Sequence, residues 1–402
     1  MKTLKSLLTE IGFCSLIDSR CLVPFVLLVF VSGCRNSNER SKNTIKIEIT
    51  RHEFVDYTLT VDSLSFPPEY YQINDFFTHN GENIFAGYNY KTHAIDFFSL
   101  TNGTISKHLI LNSDGPDKIN GVISLKVMSP DSILLADNLG GFSIVDTLGN
   151  VIWKILRGDP RVFEKIPKGD LSASSIDFQP GYLRYANSIV LRFLPSDRDE
   201  VFELPLLVKI GIKDLEAALL PIYHPAYHKK GYRPQYSGPQ ACYTDEKIVI
   251  NYSFSSEIHV YDLLSDSGIT IAGESRITDN YLPPMGENDS PENYYLESIY
   301  FFRLTYDPYR DLYYRPHWGE MSAGDGGYTT EAFYDKPVYL TVFDKDFNYI
   351  YETKLEIKNG IVPYQLFPLP EGLLVFPYRQ EPEDLLADRL KGYIIKFVAP
   401  TR

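Results

Sequence analysis

The chain has 402 residues, with 39 Lys and Arg against 52 Asp and Glu and a formal net charge of −13. That balance, without any basic tract, excludes the electrostatics of nucleic-acid binding and of adhesion to anionic lipid. The 30 Tyr and 24 Phe outnumber 4 Met and 2 Trp, and 26 Gly and 26 Pro punctuate the chain often, so an all-β protein is expected.

The first element is an apolar run, Cys21 to Val31, about half the ~20 residues a membrane span needs. It fits the core of a signal peptide. It ends in Val31-Ser32-Gly33-Cys34, and the polar segment Arg35 to Lys42 follows. That arrangement resembles the lipobox of bacterial lipoproteins. The resemblance implies cleavage before Cys34, acylation at Cys34 and a lipid anchor in place of a spanning helix. The expected division is a signal peptide over 1–33, a tether over 34–43 and a folded domain over 44–402. The expected location is the cell envelope, at the outer membrane. Cys14 and Cys21 leave with the signal peptide and Cys34 takes the lipid. Cys242 is left without a partner, so no intrachain disulfide is expected.

Further along, one pattern recurs: an alternating apolar strand, a turn, and a second apolar strand. It appears at Ile95 to Leu111, Phe142 to Ile155, Leu207 to Ile222, Ile258 to Ile271 and Val338 to Tyr351, and half of it at Tyr393 to Val398. Four copies place an aspartate at the start of the turn: Asp146, Asp214, Asp262 and Asp344. A carboxylate there can accept from backbone amides two residues on. Leu100 takes the position in the first copy. The shortest intervals, about 46 to 48 residues, match a four-stranded propeller blade. Six copies predict a six-bladed β-propeller. The last copy stops after its third strand, and Val55 to Asp62 (VDYTLTVD) can supply the missing outer strand, so the N-terminal strand closes the last blade and removes a free edge. A β-sandwich or two smaller β domains is the competing architecture.

The segment Ser298 to Arg315, SIYFFRLTYDPYRDLYYR, and the stretch from Asn251 to Asp262 carry a second resemblance. With the lipobox and the six-unit pattern, they are similar to an uncharacterised lipoprotein family of Bacteroidota, catalogued as a domain of unknown function. The resemblance implies a propeller and an envelope lipoprotein, and no activity.

Four stretches are long: Pro195 to Pro205, Pro221 to Gln240, Glu274 to Tyr294 and Pro316 to Pro337. In a propeller all four emerge on one face, and loops gathered on one side of a rigid scaffold commonly carry recognition. The N-terminal strand would start at the opposite face, so the loop-rich face is expected to point away from the lipid. Candidate ligand contacts are Asp307, Arg310, Tyr313, Arg315, His317 and Trp318. Arginine suits bidentate carboxylate contacts, and the aromatic rings suit sugar faces. The competing reading of this stretch is a turn pinned by an Arg–Asp pair. His224 and His228 have the spacing of a helical zinc pair, but Pro225 lies between them and no third ligand follows. Gly324 to Gly327 has too few carboxylates for a calcium loop. No catalytic, cofactor or metal residues are assigned. The expected function is a non-catalytic envelope lipoprotein that binds a protein or glycan through its loop-rich face. A glycan-active hydrolase or lyase with a site over the central channel is the alternative.

Overall fold

The computed structural model describes residues 49–66, 71–173, 178–197, 199–225, 238–282, 291–321, 335–357, 360–381, 383–384 and 388–398. All belong to the unit Ile47–Arg402. The expected signal peptide and tether over 1–43, with Cys34, lie outside the described residues, as do His228 and Gly324 to Gly327.

β1 (Arg51–Thr60) opens the folded part. An antiparallel meander follows: β2 (Asn74–His79), β3 (Glu82–Asn89), β4 (Ala94–Ser99) and β5 (Thr104–Ile110). The pattern repeats as β6 (Val122–Ser129), β7 (Ser132–Asp137), β8 (Phe142–Val145) and β9 (Val151–Ile155). Next, β10 (Gly169–Ser172) and β11 (Gly181–Leu183) both pair with β12 (Ser188–Pro195), which leads to β13 (Leu207–Gly211) and β14 (Ala217–Leu220). Then come β15 (Gln240–Tyr243), β16 (Lys247–Tyr252), β17 (Ser255–Asp262) and β18 (Ser267–Ile271). β19 (Tyr300–Phe301) and β20 (Thr305–Asp307) share β21 (Leu312–Trp318), followed by β22 (Val338–Asp344) and β23 (Tyr349–Lys354). β24 (Leu366–Leu369), β25 (Gly372–Val375) and β26 (Arg389–Val398) end the series. Among the described residues two short α-helices, Pro160–Phe163 and Pro291–Glu297, connect successive sheets. No helix among the described residues is long and apolar enough to cross a membrane.

The strands form a propeller-like arrangement of sheets, and the all-β expectation holds. The expectation of six separate blades needs correction. Among the described residues, hydrogen bonding gives four stand-alone sheets of four or five strands and one eight-stranded sheet, ordered β2-β3-β4-β5-β1-β26-β25-β24. The cause is local. β1 pairs along its whole length with β26, from Arg51↔Val398 to Thr60↔Arg389. Its last residue also meets β5 in a single parallel bridge, Thr60↔Thr104, with Thr60 N–H donating to Gly103 C=O at 2.8 Å. The strand that extends the last group therefore runs on into the first.

Burial follows position in the sheet. Inner strands such as β7 and β16 are buried on both faces and read as nearly continuous apolar runs. The outermost strands β5 and β18 are largely exposed. Six apolar clusters lie between successive strand groups. One, with Phe85, Phe98, Phe367 and Leu374, joins the last group back to the first.

The turn aspartates do what their position predicts. Asp146 Oδ1 accepts from Leu148 N–H, Asp214 from Glu216, Asp262 from Leu264 and Asp344 from Asp346, at 2.8 to 3.0 Å. Each amide lies two residues on. Because consecutive strands are antiparallel, these third-to-fourth strand turns lie at one end of the strands. The ends at which β12, β14, β18 and β21 stop and β13, β15, β19 and β22 start, which flank the four long stretches, lie at the other end.

Candidate functional site

Two cavities stand out, one at each end of the strands. The first, of about 370 Å³, lies at the long-connection end and is lined by Ser255, Ser256, Glu257, Ala272, Glu274, Asn280 and Tyr281. Its outer wall is the chain beyond β18, which folds back onto β17. Ser256 N–H donates to Asn280 C=O and Leu282 N–H to Phe254 C=O, both at 2.9 Å. Asn280 closes the loop on itself: its Oδ1 accepts from Ser275 N–H at 2.6 Å and its Nδ2 donates to Ser275 C=O at 3.0 Å. Tyr281 is left 48% exposed at the rim. The lining therefore offers carboxylate, amide and hydroxyl groups beside one aromatic face, a set that can hydrogen-bond a polar ligand and stack on a ring.

Two of the candidate contacts, Arg315 and His317, stand behind this wall. Arg315 is fully buried on β21. Its guanidinium donates to Ser256 C=O at 2.6 Å and to Gly273 C=O, and lies over the rings of Phe301 and Phe343. Burial lowers its pKa to about 9. His317, equally buried, reaches Thr278 Oγ1 at 3.1 Å through Nε2 and stacks on Tyr339. Burial, with Arg315 beside it, lowers the imidazole pKa to about 3, so the ring is neutral. Glu352 completes the support by accepting from Arg276 N–H at 2.6 Å and Thr341 Oγ1 at 3.0 Å. These side chains hold Ser256, Gly273, Arg276 and Thr278, and thereby shape the cavity without lining it.

The other candidates lie apart from it. Asp307 is fully buried, and Arg310 Nη1 donates to its Oδ2 at 2.7 Å. Tyr314 donates to the same oxygen at 2.8 Å. Arg310 also donates to Leu369 and Pro370 carbonyls between β24 and β25. The pair thus pins one hairpin to the next group. Tyr313 is buried and stacked on Phe347, with ring centroids 4.5 Å apart. Trp318 packs edge-on to Phe302 and near Tyr300, with Lys336 Nζ 5.5 Å from its ring centroid. His224 is buried between Phe202 and Tyr252, and burial lowers its pKa to about 3. Among the described residues no three metal-ligating side chains cluster.

The second cavity is an axial cleft of about 280 Å³ lined by β2, β6, β15, β20 and β24 and by Gln179 from the segment before β11. Thr78, Pro308 and Pro368 lie beside first hairpin turns, so the cleft reaches the short-turn end. Asp75, Lys126, Gln179 and Arg303 form a chain of polar contacts within it. Lys126 Nζ is 3.0 Å from Asp75 Oδ1, Gln179 Nε2 donates to the same oxygen at 3.1 Å, and Arg303 donates to Gln179 Oε1. Sequence reading missed this cluster. Its members come one each from separate repeats and share no motif. The available signal was a charged or amide residue in or just before an otherwise apolar first strand.

This is a propeller-like all-β protein with a polar cavity beside the start of β17 and a charged cleft along its axis. The chain belongs to the DUF4221 family, a domain of unknown function, whose match covers residues 51–354. It is similar to a crystal structure of a DUF4221 member from Bacteroides vulgatus, at 19% identity over 88% of this chain and 100% of that one, with a TM-score of 0.71. A Bacteroides fragilis protein that carries the name of an exported protein is similar at 11% identity, over 86% of this chain and 95% of that one, with a TM-score of 0.54. At these identities the likeness is one of fold. No curated protein matches the chain.

Proposed function

We propose that this chain is an exported, lipid-anchored envelope protein that binds a glycan or protein at its long-connection end and does no chemistry on it. The observation that carries the reading is the cavity beside Tyr281, built where the chain beyond β18 folds back onto β17 and braced from behind by Arg315 and His317. The exported name of the Bacteroides fragilis relative and the lipobox at Cys34 support the location. In this reading the eight-stranded sheet acts as two blades, which makes six. The support is the single bridge at Thr60 and the six apolar clusters that separate successive groups. β1 begins at the short-turn end, so a lipid on Cys34 would hold that end towards the bilayer.

Binding is favoured over glycan hydrolysis because Asp75 is the one acid among the described residues lining the axial cleft, and it is ion-paired with Lys126. Glycoside hydrolysis requires a second carboxyl group across the bond. The test is affinity capture of envelope glycans and proteins by the detergent-extracted lipoprotein, beside Tyr281→Ala and Glu274→Ala, which change two residues of the cavity lining. Palmitate labelling of the wild type but not of Cys34→Ser accompanies it. Both cavity variants should lose the captured ligand, and equal recovery by all three proteins overturns the reading.

A further inference from the structure

We propose that the axial cleft is a second binding site, one that takes a small organic carboxylate on the guanidinium of Arg303. The inference stands apart from the Tyr281 cavity, which lies at the other end of the strands, so the two fail separately.

Asp75 is fully engaged. It receives Lys126 Nζ at 3.0 Å, Val127 N–H at 2.8 Å and Gln179 Nε2 at 3.1 Å. Gln179 Nε2 also points at Asn74 C=O, 2.8 Å away, and at Leu125 C=O, 3.2 Å away. Three acceptors around one end of the amide fix its orientation, so its carbonyl oxygen must face Arg303. The guanidinium therefore meets a neutral oxygen, and no carboxylate among the described residues pairs with it. Gln179 acts as a spacer that separates Arg303 from Asp75, the nearest charge that could have neutralised it.

A guanidinium has five N–H donors in a planar fork, and leaving it desolvated and unpaired is costly. An incoming carboxylate removes that cost through two parallel hydrogen bonds. Tyr243 lines the same cleft with a buried hydroxyl that has no partner among the described residues, and can serve as a further donor. Charge sets the valence. Lys126 and Arg303 against Asp75 leave one net positive charge, which matches a monoanion and not a phosphate dianion. The walls set the body. Phe76, Phe77, Tyr306 and Phe367 surround the polar chain, so the ligand carries a ring or apolar face behind its carboxylate. The volume of about 280 Å³ lies at the small end of ligand sites and fits an aromatic acid or a single uronic acid.

The experiment is calorimetric titration of the full chain in detergent with benzoate and galacturonate, each paired with a neutral body-matched compound, benzyl alcohol and galactose. At least one acid should bind while its neutral partner does not. Arg303→Gln should weaken it at least about tenfold, and Arg303→Lys should recover part of the loss, because a single ammonium keeps the charge but not the fork. If Arg303→Gln does not fold, Tyr243→Phe takes its place and should weaken the acid severalfold. Equal binding of acid and neutral partner, no binding of either acid up to about 10 mM, or unchanged affinity in these variants overturns the proposal.

Discussion

Two histidines respond to pH in opposite directions because their partners differ. His108 lies on β5 between two carboxylates, with Asp96 Oδ1 at 2.7 Å and Asp62 Oδ2 at 2.9 Å. Burial disfavours its charge, but the hydrogen bonds to Asp96 and Asp62 outweigh that and raise its pKa above 6.5. Its contribution is therefore complete below pH 6.5 and is lost as pH rises through the raised folded value. His317 is the reverse. Its folded pKa of about 3 lies below the ordinary 6.5, so its contribution is present above pH 6.5 and is lost as pH falls from 6.5 towards 3. Urea midpoints measured against pH separate them. His108→Gln should remove the loss on the alkaline side and leave the acid limb. His317→Gln should make the acid limb between pH 6.5 and 3 shallower, with His224 supplying a remaining part, and leave the alkaline one. Asp62 ties the chain just after β1 to β5, so the alkaline loss should begin as loosening of that segment.

Turns between strands hold neighbouring groups together as well as reversing the chain. Gly149 sits in the β8–β9 turn at φ +84°, and a Cβ built there would lie 2.4 Å from Ile110 C=O at the end of β5. Gly103, in the equivalent β4–β5 turn, would place a Cβ 2.7 Å from Thr58 C=O on β1. The outer strand of one group thus abuts the last turn of the next, and only glycine permits that approach. Gly115 has nearly the same φ, +78°, but open space around it. Gly115→Ala should therefore cost only the left-handed strain, about 1 kcal/mol. Gly149→Ala adds a backbone clash and should cost about 3 kcal/mol by chemical denaturation. Equal costs would mean the inter-group contact is not tight. These turns were legible in the sequence because Asp146, Asp214, Asp262 and Asp344 act within a few residues of themselves. The cavity beside Tyr281 was only half legible. Arg315 and His317 stood out in a dense aromatic and charged stretch, but that density serves packing. The groups that line the cavity, Ser255, Glu257, Glu274 and Asn280, are ordinary residues brought together by a fold-back that no local pattern announces.

At the scale of the whole molecule, the first and last strands decide whether the sheet series closes. The alternation in Val55 to Asp62 pointed to this strand, and the paired segment is Arg51–Thr60. The axial cleft lay beyond sequence reading because Asp75, Lys126, Gln179 and Arg303 meet only after every group has taken its place. Deleting residues 49–60 should expose the edge of β26, empty the pocket that buries Leu59 beside Leu390, and give aggregates instead of monomer on size exclusion. A peptide covering 49–61, added during refolding, should restore the monomer. Failure of the peptide to restore it would show that β1 contributes more than edge pairing. The β1–β26 ladder also sets an order in time. Its partners are separated by nearly the whole chain, so it is expected among the last contacts to form. Until it forms, each molecule carries both an unpaired strand and the edge that strand fits. Two molecules that meet in that interval can close each other, exchanging first strands to give a dimer held by native pairing.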